Sequence, residues 1–209
     1  MKLKTLFRKD SLQENTYIIT ENNKALIIDP GCDYEDLNSY LDNNDIKEVS
    51  IFLTHTHHDH IRIIAPIVEK YNSIIYLSEK EMVIFETEMP KYADSKQLKQ
   101  INKNLIFIKD KIIFNNNEYK VLEVPGHTVG HLMLEIPELQ AYFSGDFIFN
   151  NDIGYTQFFT GSSLDMKNSL DKIQTLNKEY VIYPGHGPET TVENELTNNF
   201  YINNPIEKW

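Results

Sequence analysis

Ser50-Ile51-Phe52-Leu53-Thr54-His55-Thr56-His57-His58-Asp59-His60 is the stretch from which the rest of the chain is read. Residues 50–53 form a short apolar strand, and the histidines begin where it ends. Four of the chain's seven histidines fall within six consecutive residues. Side chains two apart on an extended segment point the same way, so His55 and His57 can grip one ion together while His58 faces elsewhere as a solvated residue. This differs from the helical pattern that spaces two histidine ligands four apart. After Asp59 the apolar residues Ile61, Ile63, Ile64, Ile67 and Val68 predict a helix over 60–71. Asp59 and His60 are then expected at its N-terminus, where Asp is a preferred cap, free to face a second ion. Clustered imidazole and carboxylate are the donor set of a transition metal, zinc above all.

The remaining histidines sit in two glycine-flanked segments, Pro125-Gly126-His127-Thr128-Val129-Gly130-His131 and Tyr183-Pro184-Gly185-His186-Gly187. An apolar strand, 141–144, runs into a turn carrying Asp146 in Phe143-Ser144-Gly145-Asp146. Two neighbouring ions need donors from several places and a carboxylate between them. His127, His186 and Asp146 supply what the first segment lacks. His131 opens the apolar run 132–136 and is expected to be a hydrogen-bonding structural residue.

These segments, His55-x-His57-x-Asp59-His60, Pro-Gly-His127-Thr, Ser-Gly-Asp146 and Pro-Gly-His186-Gly, resemble the landmarks of the metallo-β-lactamase superfamily, in order. Ile28-Asp29-Pro30-Gly31 upstream resembles the first of them. Within the superfamily the chain is most similar to the short hydroxyacylglutathione hydrolase (glyoxalase II)-like branch. Asp146, the Gly-His-Thr-x-Gly-His form of 126–131 and Tyr-Pro-Gly-His-Gly-Pro-Glu-Thr-Thr at 183–191 carry that likeness.

The resemblance implies an αββα sandwich, an α+β fold of two mixed sheets face to face with helices outside, with the metal-binding loops at one edge. It implies two Zn2+ ions, with Fe or Mn also suited to the donors. His55, His57 and His127 would hold the first ion, Asp59, His60 and His186 the second, and Asp146 both. Asp29 would orient a ligand through hydrogen bonds while opening its Asp-Pro-Gly turn. The implied chemistry is attack on a small-molecule carbonyl by hydroxide generated at the metals, with Asp59 and Asp146 as the catalytic carboxylates. A thioester of the S-acylglutathione type is the substrate the branch implies. An iron-dependent persulfide dioxygenase with a mononuclear site is the alternative within the superfamily.

Three departures bear on substrate. Arg62 stands where the family usually has a small residue. Gly154-Tyr155-Thr156 stands where glyoxalase II-like members often carry a basic residue, which makes Tyr155 and Arg62 the candidate substrate contacts. The 23 residues after His186 are too few for the helical glutathione-binding domain of the long enzymes.

Composition bounds the rest. At 209 residues, one domain spanning 1–209 is expected, with no linker-like shift and no repeat. Net charge is −11 with Lys and Arg scattered, which argues against a nucleic-acid partner and hence against a nuclease. No apolar stretch suits a membrane span, and Met1–Arg8 alternates like a strand without a secretory core. A single cysteine, Cys32, excludes an internal disulfide. A cytoplasmic protein is expected, which disfavours an exported β-lactamase. Strands are read at 3–8, 15–20, 24–29, 48–54, 74–77, 105–108, 119–124, 131–136, 141–145 and 180–183. Helices are read at 33–42, 60–71, 78–86, 93–103, 163–177 and 188–196. From pattern alone this is a mixed α and β protein.

Overall fold

The computed structural model describes residues 1–204 and 206–209. Its first half runs β1 (Lys2–Phe7), β2 (Asn15–Glu21), β3 (Lys24–Ile28), α1 (Tyr34–Asn43), β4 (Glu48–Phe52), α2 (Ile64–Tyr71), β5 (Ile74–Leu77), α3 (Met82–Glu88), α4 (Ser95–Lys103) and β6 (Leu105–Phe107). The second half runs β7 (Lys111–Phe114), β8 (Asn117–Glu123), β9 (Leu132–Ile136), β10 (Ala141–Gly145), β11 (Ile148–Phe149), β12 (Asp152–Ile153), α5 (Ser163–Asp171), β13 (Val181–Pro184), β14 (Thr190–Thr191), α6 (Val192–Asn198) and α7 (Phe200–Asn203). Two six-stranded mixed sheets result, ordered β1-β2-β3-β4-β5-β6 and β14-β13-β10-β9-β8-β7.

Asparagine pairs make the tight turns. Asn22-Asn23 joins β2 to β3 and Asn115-Asn116 joins β7 to β8, all four at positive φ. Two-residue hairpin loops require that conformation, and Asn tolerates it better than most residues.

Strand residues alternate between two apolar layers. Tyr17, Leu26, Ile28 and Phe52 of the first sheet meet Tyr119, Leu132, Leu134 and Phe143 of the second, forming the core between the sheets. Their neighbours Ile18, Ile27 and Ile51 face outward onto Leu37, Ile64, Ile67, Phe85 and Ile101 of α1–α4. On the other side Met133, Tyr142 and Ile182 pack against Met166, Leu170 and Val192 of α5 and α6. Both faces of each central strand are covered, so these strands are continuously apolar. The architecture is the αββα sandwich.

Strand direction prepares the site. β3, β4, β5 and β6 are mutually parallel, so the segments after β3, β4 and β5 leave from one edge. β10 and β13 are likewise parallel. β9 runs antiparallel to β10, which brings the segment before β9 to the same edge as the segment after β10. Ligands collect at the carboxyl ends of parallel strands for this reason.

Several elements differ from the sequence reading. The helix expected over 60–71 starts at Ile64, and residues 58–63 form turns, so Asp59 is not its cap. On a helix, adjacent side chains diverge by about 100°, which would aim Asp59 and His60 apart. The turn, closed by His60 N donating to His57 O at 3.1 Å, lets both converge. Helix 78–86 opens as a 3-10 turn at Glu79–Glu81, helix 163–177 becomes α5 followed by a 3-10 turn, and 188–196 contains β14 before α6. β7 and the β11–β12 hairpin are additional strands.

Candidate metal centre

Asp29 follows β3, residues 54–60 follow β4, Asp146 follows β10, His186 follows β13, and His127 lies in the segment between β8 and β9. All seven expected ligands thus come to one edge. His55, His57 and His127 each offer a donor atom within 4.8 Å of the other two, and so do Asp59, His60 and His186. Asp146 lies between the two triads. Its Oδ1 is 3.4 Å from His60 Nε2, and its Oδ2 is 3.5 Å from His127 Nε2 and 3.6 Å from His186 Nε2.

The outer nitrogens reveal the tautomers. His127 Nδ1 donates to the Tyr155 carbonyl at 2.8 Å, and His186 Nδ1 donates to the Leu12 carbonyl at 2.7 Å. His60 Nδ1 donates to Asp29 Oδ2 at 3.1 Å. The Thr54 hydroxyl spends its proton on Asp29 Oδ2 at 2.6 Å, so at 3.0 Å it accepts from His55 Nδ1. Four imidazoles therefore have Nδ1–H tied to the protein and Nε2 turned inward, the usual way a protein fixes metal-ligating histidines. His57 is the exception, presenting Nδ1, 2.9 Å from His127 Nε2.

Asp29 also lies within ligand distance of His55 and His60. Its oxygens are already engaged by the Thr54 amide, the Thr54 hydroxyl and His60, so it reads as a residue that orients ligands. It sits at φ 50°, unusual for a non-glycine residue, held there by these bonds. Gly185 is required by close approach, since a Cβ there would strike Asp146 Oδ1 and His60 Cε1.

Electrostatics divide the centre. Burial pushes His55 well below its ordinary value, takes His57 down to about 4, and lowers His127, so these three are neutral imidazoles. Burial also acts against charge on His60, but the Asp146 and Asp59 carboxylates outweigh it and raise His60 well above 6.5. His186 is raised against burial by its bond to Asp59. Burial opposes ionisation of Asp59 and Asp146, yet His60 and its neighbours hold both below the usual carboxylate range.

The remaining candidates are placed as follows. His58 is exposed. Arg62 is paired with Asp10 at 3.2 Å, with His58 Nδ1 3.4 Å away. Tyr155 is 57% exposed and gives its carbonyl to His127. His131 is fully buried, accepts from the Asp146 amide at 3.2 Å and stacks on His55 at 4.8 Å.

Sequence reasoning missed Thr54 and Glu81. Glu81 is 1% exposed and accepts from the Thr56 amide, the Thr56 and Thr128 hydroxyls and the Gly130 amide. It ties the loop bearing His55 and His57 to the loop bearing His127. No local signal announces this, because its partners are distant in sequence.

The donors suit metal ions. His55 Nε2, His60 Nε2 and Asp146 Oδ1 are buried without a hydrogen-bond partner, which is costly unless something binds there. Nitrogen and carboxylate donors gathered in this way suit divalent transition metals.

Fold and site define a metal-dependent hydrolase. The chain belongs to the metallo-β-lactamase superfamily, whose family model matches residues 10–186. A probable metallo-hydrolase of Streptococcus pyogenes is 29% identical over 195 residues, covering 89% of this chain and 84% of the relative. A hydroxyacylglutathione hydrolase of Haemophilus influenzae is 30% identical over 204 residues, covering 92% and 94%. A protein solved in a di-iron-bound form superposes with a TM-score of 0.81 at 27% identity, covering 96% of this chain and all of that one. No helix among the described residues is long and apolar enough to cross a membrane.

Proposed function

We propose that the chain hydrolyses small thioesters, S-acylglutathione-type esters among them, at a centre holding two divalent metal ions. The observation that carries this reading is the set of four imidazoles tied at Nδ1 and turned inward at Nε2 around Asp146. His55, His57 and His127 would hold one ion, Asp59, His60 and His186 the other, and Asp146 both. When bound, such ions supply Lewis acidity and a nucleophile at neutral pH by lowering the pKa of water to about 7. Zinc suits these donors, and so do iron and manganese.

The chain's own residues hold and aim. Asp59 and Asp146 sit at the floor of a cavity of ≈ 660 Å³, where an ionised carboxylate accepts a hydrogen bond from the attacking water and orients it. Asp29 and Thr54 keep His60 and His55 in register. A thiol has a pKa of about 8.5, so a thiolate leaves without a strong general acid. Cys32 is not the nucleophile, because burial pushes its thiol up to about 12. Thioester chemistry with one buried cysteine suits the reducing cytoplasm.

The test is release of free thiol from S-lactoylglutathione and from acetyl-N-acetylcysteamine. Turnover should be abolished by a chelator and restored by Zn2+, Fe2+ or Mn2+. Absence of turnover on every thioester in metal-replete protein would contradict the proposal.

A further inference from the structure

The cavity above the centre has walls of unusual character. Phe159 is 73% exposed, Tyr155 57%, Phe158 53%, Val83 45% and Leu12 41%, and all five line it. So many large apolar side chains open to water around one cavity mark a binding surface. The cluster reaches the metal ligands directly. The Phe158 ring lies 4.8 Å from that of Tyr155, 5.5 Å from His57 and 5.9 Å from His127, edge-on in each case. An apolar chain lying along Phe158 therefore delivers whatever ends it to the centre.

Charge points the same way. Among the described residues, no Lys or Arg lines the cavity. The wall carboxylate Glu88 is paired with Lys91 at 2.6 Å, and Arg62 is taken by Asp10. Asp59 and Asp146 are spent on the metal ions, and the net charge of −11 leaves the surroundings unfavourable to anions. Away from the metal centre a substrate half bearing free carboxylates meets no lysine or arginine among the described lining residues, whereas a hydrocarbon finds a cavity of ≈ 660 Å³. That volume lies within the roughly 300–1,000 Å³ usual for small-ligand sites.

We propose that this cavity is an acyl-chain site, and that the preferred substrate is a thioester with an apolar acyl group of several carbons on an uncharged thiol. This rests on the hydrolase reading and sharpens it. In the reaction, a water oxygen bonds to the acyl carbon and the C–S bond breaks with its electron pair on sulfur. The products are the carboxylate, the free thiol and one proton released to the medium.

The test compares acetyl, butyryl, hexanoyl and octanoyl esters of N-acetylcysteamine with the same acyl groups on glutathione. Burial of a methylene predicts a rise in kcat/KM of about fourfold per added carbon until the cavity is filled. The glutathione ester should be no better than the neutral one at each length. Phe159→Ser, at a highly exposed position where folding is safe, should reduce octanoyl turnover at least tenfold more than acetyl turnover.

A binding readout keeps the site separate from the chemistry. The uncleavable S-octyl-N-acetylcysteamine thioether should bind with a negative heat-capacity change by calorimetry, about tenfold more weakly in Phe159→Ser. Hydrolysis that ignores chain length, or prefers the glutathione ester, overturns the acyl-chain site and leaves the hydrolase. Thioether binding without hydrolysis of any ester supports the apolar site and removes the hydrolase reading. No thioether binding overturns the inference outright.

Discussion

Replacing Glu81 with Gln tests whether a buried carboxylate outside the ligand set holds the first triad together. Oε2 accepts from the Thr56 amide at 2.9 Å and its hydroxyl at 3.0 Å, while Oε1 accepts from the Thr128 hydroxyl at 2.6 Å and the Gly130 amide at 2.9 Å. Four donors converge on two oxygens, an arrangement only a carboxylate satisfies. Gln has the same shape but one oxygen. Whichever way its amide is turned, its NH2 group confronts a buried backbone N–H, of Thr56 or of Gly130. An unsatisfied buried donor costs about 1–3 kcal/mol, and the surviving bonds weaken as they lose the charged acceptor. The total, about 2–4 kcal/mol, is a large share of a margin of roughly 5–15 kcal/mol. Urea unfolding of chelated protein should show the midpoint falling by about 1 M or more at unchanged slope. Because Thr56 separates His55 from His57 and Thr128 follows His127, metal affinity at that triad should also fall, about 10–100-fold by competitive chelation. Glu118→Gln, which breaks only an exposed pair with Lys111, is the control and should shift stability by about 0.5 kcal/mol or less. A Glu81→Gln midpoint and metal affinity equal to the control would refute the reasoning.

Metal loading should depend on pH in two stages. His55, His57 and His127 are already neutral, whereas His60 and His186 hold protons to pH values above 6.5 and must release them to bind. Raised pKa values mean that affinity at the second triad rises as pH rises. One equivalent should bind already below pH 6.5 and the second only as the pH is raised above it, and simultaneous pH-independent filling in a chelator titration would count against this. Tyr155→Lys should improve kcat/KM for S-lactoylglutathione several-fold relative to a neutral thioester, with the gain lost at high salt; equal effects on both esters would contradict it. Gly185→Ala should weaken binding of the second ion by at least about tenfold, because its Cβ displaces Asp146 and His60; wild-type affinity would show that the backbone yields.

The clustering of the candidate ligands was legible because chemistry restricts it. Few patterns other than metal binding place His55, His57, Asp59 and His60 together, and the glycines beside His127 and His186 mark backbone held close to something. The paired sheets needed the family resemblance, since strand alternation is blurred where Ile18, Ile27 and Ile51 are covered on both faces. The helix start was misplaced because Ile61 and Ile63 fit helical spacing although their backbone forms a turn. The β7–β8 hairpin is hard to see in the sequence because Ile112, Ile113 and Phe114 form a run of only three apolar residues before Asn115-Asn116. Glu81 and Thr54 were invisible because their importance lies wholly in partners that folding supplies. The apolar cavity was equally hidden, since Leu12, Val83 and Phe159 are neighbours only in space.

The central claim is a pair of ions with Asp146 between them. Metal analysis under replete conditions, on wild-type protein and Asp146→Ala, tests it most directly. Close to two transition-metal ions per chain in the wild type are expected, with reduced occupancy and most thioester turnover lost in Asp146→Ala. A single iron per chain with Asp146 intact, accompanied by sulfite formation from a persulfide, would contradict the account.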